Sequence, residues 1–219
     1  AVALGGGTEV LAGINWSPVG GEFHDVVMMA NGTALKDTGL GTFPTTLRSG
    51  LNAPNVYPPL FVAGGGETVG ATRKLFLCTE INQMQVVSGT ANTMAAISTP
   101  AADWTVSFPI FACLHDLRMW AGGNANDPHR LYYSSIANHQ EYSGGTSGTL
   151  AIYPGEGEAL VGGISFRGLL LLFKRPAGVY VVDTRDPTPA NWQVQKLNGS
   201  VGSAGPNTIV RISNDILIL

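Results

Sequence analysis

Short apolar runs, separated by glycine, asparagine and aspartate, set the pattern of this chain. Runs of that length with turn-formers between them predict β-strands and not helices. The most informative stretch is 109–143, PIFACLHDLRMWAGGNANDPHRLYYSSIANHQEYS. It predicts a strand over Pro109–Leu114, a two-residue turn at His115-Asp116 and a strand over Leu117–Ala121. A glycine-rich loop and a third strand over His129–Ser135 follow. Two-residue connections join only antiparallel neighbours, so the unit is a meander.

The same plan recurs along the chain. Glu9–Trp16 predicts a strand, His24-Asp25 a turn and Val26–Ala30 a second strand. Asn31-Gly32 predicts a type I′ hairpin, because both residues accept positive φ, and Thr33–Asp37 returns. Residues 38–56 read as loop. Pro59–Ala63 and Arg73–Thr79 are strands around a glycine loop, and Ala63-Gly64-Gly65 matches Ala121-Gly122-Gly123, 58 residues on. Leu75-Phe76 matches Leu131-Tyr132, and Asn82 matches Asn138, both 56 residues on. The two-residue difference falls in the loop, where length changes cost little.

In 164–184 the turn falls at Arg167-Gly168 and the third strand at Gly178–Asp183. Asn191–Gln195 predicts an outer strand, echoed by Asp103–Val106. Ile209–Ser213, the turn Asn214-Asp215 and Ile216–Leu219 give strand, turn and strand. Tyr57-Pro58 is the weaker candidate for the turn missing from the second unit, and Thr90–Ile97 is the one stretch with helical potential.

A period near 50 residues with about four short strands per unit is the mark of β-propeller blades. The predicted fold is all-β, with four blades of four antiparallel strands and the start of a fifth. The units are approximately 9–50, 56–106, 109–155, 160–200 and a partial 206–219, after a flexible or docking arm over 1–8. Blades cover both faces of a strand, which explains why Leu169–Phe173 is apolar throughout. A β-sandwich is the alternative, but repeats that keep register favour the propeller.

Composition narrows the chemistry. Charged residues make up 12% of the chain, about half the usual share, and the net charge is −3. No Lys/Arg run exists to grip nucleic acid, and no apolar run approaches the ~20 residues of a membrane helix. Cys78 and Cys113 stand 35 residues apart in apolar strands and read as buried free thiols. The loop Gly64–Gly70 lacks the Gly-Lys-Ser/Thr ending of a phosphate loop. His24, His115, His129 and His139 lack metal-ligand spacing; His24 and His115 each precede an Asp and read as turn-capping residues. Glu156 and Glu158 share one loop and could face a hard cation, although the turn reading is stronger. Without a nucleophile elbow or a sugar-hydrolase box, the chain reads as no enzyme, with no catalytic, cofactor-binding or metal-binding residues and no cofactor. Trp104, Trp120, Trp192, Tyr132, Tyr133 and Tyr180 read as core and rim packing.

Two resemblances follow from the motifs. Glycine doublets after a strand, then Leu-Tyr-Tyr (131–133) or Val-Tyr-Val-Val-Asp (179–183), with Trp192 beyond, resemble kelch repeats. From Asp25 onward the chain more closely resembles β-propeller proteins of tailed bacteriophage virions, which form tail nozzles and tubular rings. The carrying motifs are Arg130–Ser134, Asn138 with Tyr142, and Gly168–Lys174. That resemblance implies a structural protein of the virion tail, assembled in the host cytoplasm as a homo-oligomeric ring with other tail proteins. Viral DNA would pass nearby during ejection without specific binding, and no membrane insertion is expected. The alternative is a kelch-like protein-interaction propeller, with a carbohydrate-binding propeller behind it. The N-terminal Ala and the bare apolar run Ile216–Leu219 also predict a fragment, with more chain or a cleaved partner pairing at the Leu219 edge.

Overall fold

The computed structural model describes residues 9–19, 22–37, 42–52, 56–64, 73–156 and 159–219; the expected arm over 1–8 lies outside them. The first sheet holds β1 (Val10–Trp16), β2 (His24–Met29), β3 (Ala34–Lys36) and β4 (Thr45–Arg48). The second holds β5 (Leu60–Gly64), β6 (Lys74–Cys78), β7 (Gln85–Ser88) and β8 (Ala95–Ala96). The third holds β9 (Phe111–His115), β10 (Arg118–Gly122), β11 (Arg130–Tyr133) and β12 (Gly148–Ala151). The fourth holds β13 (Ala159–Phe166), β14 (Leu169–Arg175), β15 (Val179–Asp183) and β16 (Gln193–Asn198), and β17 (Ile209–Ile212) pairs with β18 (Asp215–Ile218).

Within each sheet the strands lie side by side in chain order, all antiparallel. The first strands touch in succession, β1 with β5, β5 with β9, β9 with β13 and β13 with β17. Sheets that lean on one another through their first strands are propeller blades; among the described residues four have four strands and a fifth has two.

Apolar side chains between blades hold the stack. Trp16, Val26 and Met28 pack on Phe61, Leu75 and Leu77; Phe76 and Val86 pack with Met119 and Tyr132; Phe111 and Trp120 pack with Leu170 and Leu172. A fully buried side chain of this size contributes about 1.5–3 kcal/mol. A glycine pair brings β13 close to both neighbours. A Cβ on Gly162 would lie 2.1 Å from Ile209 Cδ1, and one on Gly163 3.1 Å from the Phe111 ring.

Several turns differ from the sequence expectation. His115 pairs with Arg118, so the two-residue turn is Asp116-Leu117, both at positive φ (47° and 59°). The shift has a reason: the His115 side chain is buried and hydrogen-bonded, whereas Leu117 is 68% exposed. Arg167-Gly168 is the turn as expected, and the last hairpin turns at Ser213-Asn214 and not at Asn214-Asp215. His24-Asp25 is no turn: His24 opens β2 opposite Trp16, so it is not equivalent to His115, which closes β9. Asn31-Gly32 belongs to a three-residue loop in which only Gly32 has positive φ (80°), closed by Gly32 N–H to Met29 C=O and Met29 N–H to Thr33 C=O.

Outer strands were the hardest to read. β4 lies inside 38–56, which the sequence predicts as loop, and β8 falls inside Thr90–Ile97, the stretch with helical potential. Asp103–Val106 is a turn and not an outer strand. Tyr57-Pro58 precedes β5 and is no inter-strand turn. The repeat matches are offset by one strand, because Ala63-Gly64 belongs to the first strand of its blade and Ala121-Gly122 to the second. In the last hairpin the coverage is one-sided: Ile216 and Ile218 are half-buried, while Leu217 and Leu219 are exposed.

Candidate functional site

Alternate turns of a meander fall at the same end of a blade, so the Asp116-Leu117 turn, the 134–147 loop, the Arg167-Gly168 turn and the 184–192 loop share one face. Between the third and fourth blades that face opens into a cleft of about 600 Å³. Trp120, Trp192 and Leu169 supply apolar wall, Arg118, Arg167 and Arg185 cations, and Asp116 and Asp186 acids.

Behind Asp116 and Thr184 of its lining lies a polar latch between blades. His115 Nδ1 lies 2.9 Å from Ser165 Oγ, and Nε2 lies 2.8 Å from Thr184 Oγ1 and 3.2 Å from Asp116 Oδ2. Thr184 also donates to Asp116. Burial lowers the His115 pKa below its ordinary value, against the opposing pull of Asp116. The imidazole is therefore held neutral, one nitrogen donating and the other accepting. Trp120 Nε1 donates to His115 C=O at 3.0 Å and fixes the same corner.

The back wall is aromatic and cationic. Trp192 sits 5.3 Å from Trp120 and 5.0 Å from Tyr133, centroid to centroid. Arg118 is 4% exposed, its Cζ 5.1 Å from the Tyr133 ring and 5.7 Å from Trp192. Its Nη1 donates to Ser134 C=O at 2.6 Å and Thr146 C=O at 2.7 Å. Trp192 Nε1 donates to Asp186 C=O at 2.7 Å. At the rim, Leu117 and Ile136 are 68% and 51% exposed.

The sequence marks no site residue, leaves Arg118 without a role and reads Trp192 as packing. One signal was available: Arg118 is the only charged residue of β10, a strand buried along its whole length. Trp192 carried none, since only the fold of the 184–192 loop brings it over Trp120.

The other weighed residues lie apart from the cleft. His24 Nδ1 lies 3.0 Å from Asp37 C=O, and His129 Nδ1 lies 3.3 Å from Lys174 Nζ. His139 is buried 6.3 Å from the Phe76 ring. Cys78 and Cys113 are buried free thiols, each pushed up to about 12 by burial. Glu156 accepts from Tyr180 and Lys196, which holds its carboxyl below the usual range; Glu158 lies outside the described residues. Most of the Gly64–Gly70 loop is likewise outside them. Among the described residues no cluster of three or more His, Cys, Asp or Glu could hold a metal ion, and no helix is long and apolar enough to cross a membrane.

No protein-family model matches the sequence, and comparison with the curated proteins gives no match. Among solved structures, the chain is similar to BBS1N in a mercury-soaked crystal of its complex with ARL6DN, with a TM-score of 0.55 and 9% identity. The match covers 96% of this chain and 60% of that one, so the chain spans less than two thirds of its neighbour's length. A lead-soaked crystal of the same complex matches at 12% identity and a TM-score of 0.48, over 80% of this chain and 50% of that one. At such identities the likeness is one of fold, and the fold is the β-propeller.

Proposed function

We propose that this chain is a protein-interaction propeller whose third and fourth blades grip a partner in the cleft around Trp192 and Arg118. The carrying observation is the wall itself: a half-buried tryptophan and a buried guanidinium, the residue types that dominate binding hot spots, meet at one opening. The rim supports the same reading. Leu117 holds positive φ (59°) in a tight turn and still points a large apolar side chain outward. Left-handed backbone costs a non-glycine residue about 1–2 kcal/mol, and strain of this kind concentrates at functional positions. BBS1N, held with ARL6DN in its crystals, illustrates a propeller in complex with a second protein.

The virion-tail reading rests on motifs in which many side chains serve the core, although Asn138 is exposed and Arg130 half-exposed. Leu131, Tyr132, Leu170, Leu172 and Lys174 are all at most 1% exposed. Residues that pack blades report on the fold they build and not on where the fold is used. A ring around a DNA path therefore stands as the second reading, and the native mass separates the two. A soluble species of one copy that binds peptides through Trp192 supports the interaction propeller; a closed multi-copy ring indifferent to Trp192→Ser overturns it.

A further inference from the structure

We infer that the cleft reads a carboxylate, with Arg118 anchoring an Asp or Glu side chain inside an extended segment of the protein partner; this rests on the interaction reading above. Arg118 is 4% exposed, and among the described residues its hydrogen bonds all leave from Nη1, to the Ser134 and Thr146 carbonyls and, at 3.5 Å, to Thr146 Oγ1. Two carbonyls and two rings fix the plane of the guanidinium. Its Nε and Nη2 make no hydrogen bond among the described residues, and the side chain lines the cleft. Among the described residues no carboxylate pairs with Arg118, and a buried cation without a counter-ion is costly; burial lowers its pKa from the ordinary value. A carboxylate seated side-on against Nε and Nη2 removes it, because a fixed guanidinium fork matches two carboxylate oxygens.

The chain's own acids are committed elsewhere. Asp116 accepts from Thr184 and faces His115. Asp186 accepts from Thr188 N–H at 2.8 Å and Asn191 Nδ2 at 3.0 Å, and Asp183 pairs with Arg185. Across the opening, Arg167 Nη2 donates to Asn214 C=O at 3.0 Å and adds a second cation without a carboxylate partner among the described residues. A polyanion suits the site poorly, since Asp116 and Asp186 lie in the same wall and the chain as a whole carries −3. A single carboxylate flanked by apolar side chains fits it: the charge meets Arg118, and the neighbours lie on Trp192 and Ile136.

A library of random peptides displayed on yeast, with C-termini blocked by fusion, is sorted on the folded chain. The expected result is enrichment of peptides sharing one internal Asp or Glu. In a synthetic copy, Glu→Gln should weaken binding to the unaltered protein by about tenfold to a hundredfold, as for a charge-assisted hydrogen bond. Arg118→Lys, which keeps the charge and loses the fork, should shrink that difference. Peptides that need Trp192 but bind equally with Glu or Gln overturn the carboxylate anchor and leave the interaction cleft standing. Absence of any enriched peptide, or binding unaffected by Trp192→Ser, overturns both. The peptide-side exchange uses the unaltered protein, so a failure of Arg118→Lys to fold does not blunt the test.

Discussion

Between the second and third blades, Trp104 wedges against Tyr132 and Tyr142, with ring centroids 5.1 and 4.7 Å apart. Phe76, Cys78 and Met119 close the same cluster, and Trp104 Nε1 and Tyr142 Oη are buried without hydrogen-bond partners among the described residues. Between the third and fourth blades, a tryptophan again meets tyrosine, but His115, Ser165 and Thr184 form a hydrogen-bonded latch and the outer half stays open. The difference lies in where the tryptophan is carried. Trp104 comes from a loop that folds back and seals its seam, whereas Trp192 comes from the loop ahead of β16 and stands half-buried over its own. In the open seam the buried polar groups are paired with one another, as buried polar groups generally are.

That contrast can be broken by mutation. Trp104→Ala should have the largest effect, lowering stability by about 3–5 kcal/mol in urea unfolding, as for other buried tryptophans. Trp192→Ala should cost clearly less; equal losses would erase the distinction between a sealed seam and an open one.

His115→Ala removes the latch and should cost about 1–3 kcal/mol, because Ser165 and Thr184 lose their shared partner. The same residue sets a pH dependence. Its folded pKa is lowered, so the unfolded chain binds the proton more readily. Stability should then be full above the unfolded value of about 6.5 and fall as the pH drops below it. Thermal melts of wild type and His115→Ala across that range check the sign; an unchanged slope in the variant would assign the effect to other groups.

The smallest effect is expected at the rim. Leu117→Gly relieves left-handed strain against the added freedom of glycine in the unfolded chain and should raise stability by about 0.5–1 kcal/mol. A loss of stability would mean that the exposed leucine serves the fold and not the surface.

The blades were legible because their inner strands are apolar and their turns are short. Leu169–Phe173 and Arg167-Gly168 show both, and the fold class followed from them. The phase was harder to read. Ala-Gly doublets end both β5 and β10, so local likeness joined a first strand to a second. Outer strands such as β8, two residues long, are too short to show alternation. The cleft was illegible for a different reason. Arg118, Trp192 and Thr184 come from different loops and strands, and only the docking of two blades gives them a common space. The apolar strand Leu117–Ala121 hid Arg118 in particular, because a charge at a strand end ordinarily reads as a solvated tip.

Each sheet is a meander of consecutive strands, and among the described residues no strand crosses into another blade. A nascent chain can therefore complete one blade before the next is made. Each newly formed blade finds the apolar face of its predecessor already waiting, and only one seam is open to aggregation at any moment of synthesis.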